Sequence, residues 1–183
     1  MMNKSIGALE FRSISKGIEV SDYMIKKSNV ELIFFKNICP GKFLSIISGN
    51  EGEVKEAIDC GIEISQGYAV DKFVLNAVHD DIIKGLKNKY NIRSKGAFGI
   101  LETNSVCSGI QALDKAVKYS NVSIVKMQLA FCIGGKFVSI VSGEVSEVEN
   151  GIKVAKESID EKKIVNISVI PSPDSAIISM FIS

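Results

Sequence analysis

Gly41-Lys42-Phe43 recurs 94 residues later as Gly135-Lys136-Phe137, and Ser28-Asn29-Val30 recurs 92 residues later as Ser120-Asn121-Val122. The same two shifts relate Gly7 to Gly99, Glu10 to Glu102, Gly17 to Gly109 and Ser48-Gly49 to Ser142-Gly143. This period is longer than the roughly 20 to 50 residues of stacked repeats. Each copy is therefore predicted to be a small domain, with residues 1–91 as the first and 92–183 as the second.

Composition describes a globular chain without an evident nucleic-acid or membrane surface. Hydrophobic residues make up 46% of the 183 residues and charged residues 23%, which argues against disorder. The net charge of +1 and the lack of Trp exclude a basic, base-stacking surface for nucleic acid. No run of 18 apolar residues suggests a membrane span, and no apolar run follows Lys4. We therefore expect a soluble cytoplasmic protein.

The order of apolar segments predicts a β-α-β-β-α-β arrangement in each copy, which is the ferredoxin-like α+β plan. In the first copy the predicted strands are 6–11, 30–38, 43–48 and 68–78, the helices begin after Ser13 or Ser15 and at 49–51, and a short helix closes the copy at 80–86. In the second copy the strands are 98–102, 122–130, 137–142 and 164–170, the helices are 106–118 and 145–158, and a turn covers 132–136. Strand 30–38 is apolar enough to be predicted as buried on much of both faces.

Four isolated cysteines leave their roles open. They lack the close pairs of a zinc ribbon, and in the expected compartment they should be thiols. Cys60 and Cys107 lie on predicted helices and are interpreted as packing residues. Cys39 precedes Pro40-Gly41, a turn signal between two strands. From the residues alone, such a cysteine is most often a small buried hydrophobe.

Several short motifs together resemble a known family. They are Ile6-Gly7-x-Leu9-Glu10, Lys26, Asn29-Val30, Gly41-Lys42-Phe43 and Ile46-x-Ser48-Gly49, with the same series in the second copy. This series is similar to the bacterial microcompartment shell domain. The resemblance implies a structural shell protein rather than an enzyme, located in a microcompartment shell in the cytoplasm. Two copies in one chain imply a homotrimer that imitates a hexamer and meets other shell proteins.

The segments around the two turns resemble one type within that family. Ile38–Phe43 and Ala130–Lys136 are most similar to the propanediol-utilisation type of tandem shell protein, which carries a [4Fe-4S] cluster at its central pore. The resemblance implies Cys39 as the metal ligand and one cluster per trimer, for electron transfer with a redox partner or for cluster exchange. The residues then expected to line the pore are Ile38, Pro40, Gly41, Phe131, Cys132, Ile133 and Gly134.

Ligand number decides how such a cluster could be held. A cubane cluster ordinarily takes about four thiolates, and Cys39 supplies one per chain. A threefold ring would bring three copies of Cys39 to its axis and leave the fourth iron to water, a small ligand or another group. Cys132 either packs within its loop or reaches the axis as an additional thiol. The alternative function is a cluster-free tile with a central pore for small metabolites.

Other motifs carry less chemistry. A freestanding ferredoxin or redox enzyme would need several cysteines close together, and Gly134-Gly135 lacks the rest of a phosphate-loop signature. His79 has no patterned nucleophile or acid partner. The resemblance implies that His79, Lys26 and Lys118 contact neighbouring tiles, although Lys26 and Lys118 are also interpretable as ordinary solvated lysines. Related proteins commonly have an arginine in the stretch that here is Pro171-Ser172-Pro173-Asp174, which weakens the expected edge contact.

Overall fold

The chain forms two compact units in a computed structural model that describes residues 5–92 and 96–182. Unit 1 contains the described residues up to Val78 together with Ala130–Gly135. Unit 2 contains His79–Leu129 and the described residues from Lys136 onward. These units follow contacts between residues, whereas the predicted domains follow the repeat in the sequence.

Unit 1 is a four-stranded antiparallel sheet with two helices. Its elements are β1 (Ser5–Phe11), α1 (Ile14–Lys27), β2 (Glu31–Ile38), β3 (Lys42–Gly49), α2 (Glu51–Ile64) and β4 (Ala69–Leu75). The strand order is β2-β3-β1-β4, and the pairs β2–β3, β3–β1 and β1–β4 are all antiparallel. This is the ferredoxin-like plan, so the predicted fold class is confirmed.

Unit 2 repeats the plan and adds a helix at each end. Its elements are α3 (Asp80–Leu86), β5 (Ala97–Thr103), α4 (Val106–Tyr119), β6 (Ser123–Leu129), β7 (Phe137–Gly143), α5 (Val145–Glu157), a 3-10 turn (Glu161–Lys163), β8 (Ile164–Ile170) and α6 (Ser175–Phe181). The strand order is β6-β7-β5-β8. Helix α6 was not predicted, although the N-cap is readable in the sequence, since Asp174 Oδ1 accepts a hydrogen bond from the N–H of Ala176 at 2.8 Å. No helix among the described residues is long and apolar enough to cross a membrane.

The repeated glycines mark places where a helix packs directly on the sheet. A Cβ atom at Gly7 would lie 2.6 Å from Cγ1 of Ile58 in α2, and one at Gly17 would lie 2.7 Å from the ring of Phe43. Gly99 and Gly109 make the corresponding contacts in unit 2. These glycines recur because a side chain there would push the helix away from the sheet.

Two glycines in the helices of unit 1 should respond oppositely to alanine. In Gly17→Ala the new methyl meets Phe43, so we expect a loss of about 1–3 kcal/mol in the free energy of unfolding. In Gly52→Ala the methyl meets nothing within 4 Å, so better helix propensity should add roughly 0.5–1 kcal/mol. Urea unfolding followed by circular dichroism measures both. Equal destabilisation by the two substitutions would contradict the packing account.

Strand β2 differs from its prediction. It was expected to be buried on much of both faces, but Leu32 and Phe35 are partly exposed and only Ile38 is buried. That expectation is wrong for the single chain. The reason is that β2, an edge strand paired with β3 alone, lacks among the described residues a helix like α3, which packs on the equivalent edge strand β6 and buries it.

Candidate functional site

The Cys39 turn is the connection between β2 and β3. Ile38 ends one strand, Lys42 begins the next, and Cys39, Pro40 and Gly41 lie between them. The Cys39–Pro40 peptide is cis, and Gly41 has a φ of +67°, a value that side chains other than glycine rarely adopt. The sequence therefore builds a tight hairpin end in which Cys39 is half-buried and the next two residues, Pro40 and Gly41, are exposed.

An ion pair anchors the start of β3 beside this turn. Lys42 Nζ donates to Glu10 Oε1 at 2.8 Å, and the Glu10 side chain is completely buried. A carboxylate away from water needs such a cation and hydrogen bonds to be tolerated. In unit 2, Lys136 and Glu102 form the equivalent pair at 2.8 Å, but both partners are partly exposed. The pair therefore joins Lys42, the first residue after the turn, to the inner strand β1.

The structure brings the second predicted turn into unit 1. Ala130–Gly135 belongs to the same compact unit as Cys39. A Cβ atom at Gly135 would lie 2.5 Å from the carbonyl oxygen of Cys39 and 3.2 Å from Cδ of Pro40. Gly135 also has a φ of +82°. The backbone of Gly135 therefore packs directly on the Cys39 turn, and a side chain at this position would collide with the Cys39 carbonyl oxygen.

Most residues predicted to line a pore lie at the surface. Pro40, Gly41, Cys132 and Gly134 are exposed, Ile133 is half-buried, and the side chain of Phe131 is 71% exposed. Ile38 differs, because its side chain is buried inside unit 1 and supports the turn rather than facing an opening.

One chain does not supply the donors of an iron-sulfur cluster. Among the described residues there is no group of three or more His, Cys, Asp or Glu side chains that could hold a metal ion. Cys107 is buried in α4, as predicted. Cys60 is only half-buried in α2, so the prediction that it packs in the core holds in part. The donor set therefore fits a cubane cluster only when several chains each contribute Cys39.

The residues predicted at tile edges have different surroundings. Lys26 pairs with Asp22 at 2.6 Å on the exposed side of α1, and this hydrogen bond, followed by the charge of the same carboxylate, raises the pKa of Lys26. Lys118 pairs with Asp114 at 2.5 Å, and Asp114 is completely buried. The backbone N–H of His79 donates to Asp114 Oδ1 at 2.9 Å.

A comparison with protein families fits this geometry. The family model described as the BMC domain matches residues 5–78 and again residues 97–173. The chain belongs to the BMC-domain family. The two matches coincide with the two sheets, so the tandem organisation is shown by sequence and by structure.

Sequence relatives of this chain are bacterial microcompartment shell proteins. The bacterial microcompartment shell protein PduT of Citrobacter freundii is 44% identical over 173 residues, which cover 94% of each chain. The shell protein PduA of Salmonella typhimurium is 30% identical over 86 residues, which cover 46% of this chain and 92% of PduA. This BMC-domain protein is therefore a structural component of a bacterial microcompartment shell.

Two solved structures resemble most of the chain. A microcompartment protein from Desulfitobacterium hafniense is 32% identical, with a TM-score of 0.84 and coverage of 95% of this chain and 97% of that one. A fused permuted hexameric shell protein from the RMM microcompartment is 20% identical, with a TM-score of 0.64 and coverage of 85% and 83%. The second similarity shows the fold alone.

Sequence reasoning located the Cys39 turn but missed what holds it. The Lys42–Glu10 pair joins residues that both recur in the repeat, so their recurrence was an available signal. The contact of Gly135 with the Cys39 backbone joins residues from the two copies of the repeat, so no short stretch of sequence predicts it.

Proposed function

We propose that three copies of the chain form a ring in which three Cys39 thiolates hold one [4Fe-4S] cluster at the central opening. The observation that carries this proposal is a half-buried cysteine at a surface turn whose backbone is fixed on two sides. Lys42 is held by buried Glu10, and Gly135 packs on the Cys39 carbonyl. A fixed backbone is what a ligand needs when its partners come from other chains.

Symmetry supplies the ligand number. In a closed ring every chain places the same turn at the same distance from the axis. Three thiolates bind three irons, and the fourth iron takes a small non-protein ligand. When bound, such a cluster would transfer single electrons across the shell to or from a redox partner, or would itself be exchanged across the shell. Gly41 and Gly135 allow the backbone to come close to the axis, while Lys42 holds the turn in place.

A cluster-free pore is the second candidate. It is favoured by Phe131 and Cys132, which are exposed beside the Cys39 turn and would face an opening through which small metabolites pass. The two candidate functions predict different iron contents for the purified trimer. Protein isolated without oxygen should have broad visible absorption and about four irons per trimer if the cluster is present. A colourless trimer without iron would favour the pore.

Neighbouring glycines provide a positional test of the turn. Both Gly134→Ala and Gly135→Ala impose a left-handed backbone on alanine, which should cost about 1–2 kcal/mol of stability each. Only the methyl of Gly135→Ala meets the Cys39 carbonyl, because Gly134 has nothing within 4 Å. We expect Gly134→Ala to keep its iron and Gly135→Ala to lose most of it under anaerobic isolation. Equal iron content in the two variants would show that this contact does not position Cys39.

A further inference from the structure

Unit 1 has an exposed apolar surface on one side of α1 and β2. We call it the α1–β2 face, and it consists of Ile14, Ile18, Ile25, Leu32 and Phe35. These five side chains are each between 38% and 47% exposed. Three come from one side of an amphipathic helix and two from the adjoining edge strand, so they form a continuous patch rather than scattered surface residues.

The same face is buried in unit 2. Its counterparts, 92 residues later, are Val106, Ile110, Val117, Ile124 and Met127, and none of them is more than 6% exposed. The equivalence is structural as well, because β2 and β6 carry a register shift at corresponding positions, between Leu32 and Phe34 and between Ile124 and Lys126. The two copies of the repeat therefore build the same apolar face but differ in whether it is covered.

Helix α3 is part of the cover in unit 2. Its Ile82 is completely buried, and Gly85 lies so close to Met127 that a Cβ there would collide with the Met127 sulfur. At the start of α3, the N–H of His79 donates to buried Asp114. The counterpart of Asp114 in unit 1 is Asp22, which is exposed.

Helix α6 is the counterpart of α3 in the second copy. Each is a seven-residue helix that follows the last strand of its copy, after N-caps at His79 and Asp174. Counting from these caps, Ile82 corresponds to Ile177 and Gly85 to Met180. Yet Ile177 is 46% exposed and Met180 is 80% exposed, so α6 presents an apolar side that the residues described in the structure leave uncovered.

We propose that α6 of one copy docks on the α1–β2 face of the next copy, as α3 docks on α4 and β6 within unit 2. The proposal rests on the homotrimer proposed above and names the segment that joins its subunits. Each chain carries one donor helix and one acceptor face, which gives a head-to-tail contact that can close into a ring. The backbone N–H of Asp174 would then donate to Asp22 of the next copy, as His79 donates to Asp114.

The proposed contact of α6 between copies differs at one position from the contact of α3 within unit 2. Met180 stands where α3 has Gly85, so the docked helix carries a longer side chain toward Phe35. Methionine is unbranched and adapts to irregular gaps, and its sulfur makes favourable contacts with aromatic rings. The pairing of Met180 with Phe35 thus replaces the close approach of Gly85 to Met127.

Charged substitutions on the two sides of the contact test the proposal. We expect Met180→Asp on α6 and Ile18→Asp on α1 each to raise the dissociation constant of the trimer about 30-fold or more. The matched control is Val165→Asp on β8, because Val165 and its counterpart Val70 are both exposed and neither belongs to α6 or the α1–β2 face. Sedimentation velocity over a concentration series measures assembly, and circular dichroism checks that each chain is folded.

The outcomes separate this inference from the proposed function. Dissociation of Met180→Asp and Ile18→Asp, with Val165→Asp still trimeric, supports the docking of α6. A trimeric wild type whose assembly is unchanged by Met180→Asp overturns the docking and leaves the trimer and its cluster standing. A monomeric wild type overturns the trimer itself, and the docking with it.

Discussion

Replacing Cys39 with serine is expected to remove the iron from protein isolated without oxygen. The wild-type trimer should carry about four irons, and Cys39→Ser should carry none above background, because a cubane held by three equivalent thiolates loses every protein ligand at once. The trimer itself should persist, since Cys39 lies in a turn outside the α1–β2 face and α6. Iron analysis together with sedimentation velocity measures both quantities.

The other cysteines provide matched controls for this substitution. Cys132→Ser changes an exposed thiol in the segment that packs beside the same turn, and Cys60→Ser changes a half-buried thiol of α2. Both variants should keep the iron of the wild type. If Cys39→Ser retained its iron, the assignment of the ligand would be wrong, and if Cys132→Ser lost it, Cys132 would belong to the ligand set.

Removing the cation that pairs with Glu10 should have the largest effect on stability. In Lys42→Met the Glu10 carboxylate remains completely buried but loses the ion pair with Lys42, so we expect the free energy of unfolding to fall by on the order of 3 kcal/mol. Iron content should fall as well, because Lys42 fixes the strand that begins two residues after Pro40. Urea unfolding followed by circular dichroism gives the stability.

Lys136→Met is the control offered by the repeat. Its partner Glu102 is partly exposed, and Lys136 itself is more exposed than Lys42, so this loss should be about 0–1 kcal/mol. The comparison keeps the substitution and its place in the fold constant and changes the burial of the carboxylate, together with a smaller change in the exposure of the lysine. Similar losses in the two variants would show that the burial of Glu10 does not set the strength of the anchor.

The sequence alone allowed much of the fold to be predicted. The alternation of apolar segments, the caps and the Pro40-Gly41 turn are local signals, and the strands and helices that they predicted are present with small differences at their ends. The recurring glycines marked where helices meet the sheet, although their contacts with Ile58 and Phe43 appear only in the structure.

Non-local contacts account for what was missed. The exposure of β2 depends on whether a helix packs on this edge strand, as α3 does on β6, and its apolar sequence is that of a buried strand. Under the docking proposed for α6, this mismatch arises because part of the face is covered by another copy. The contact of Gly135 with Cys39 joins residues far apart in the chain, so no short sequence window contains it.

In the proposed assembly three chains share one cluster. Native mass spectrometry of the wild-type protein, kept free of oxygen throughout, measures subunit number and bound iron in the same particle. We expect three 19.8 kDa chains with the added mass of a single four-iron, four-sulfide cluster. A trimer with the mass of its chains alone, or a cluster bound to a single chain, would contradict the proposal.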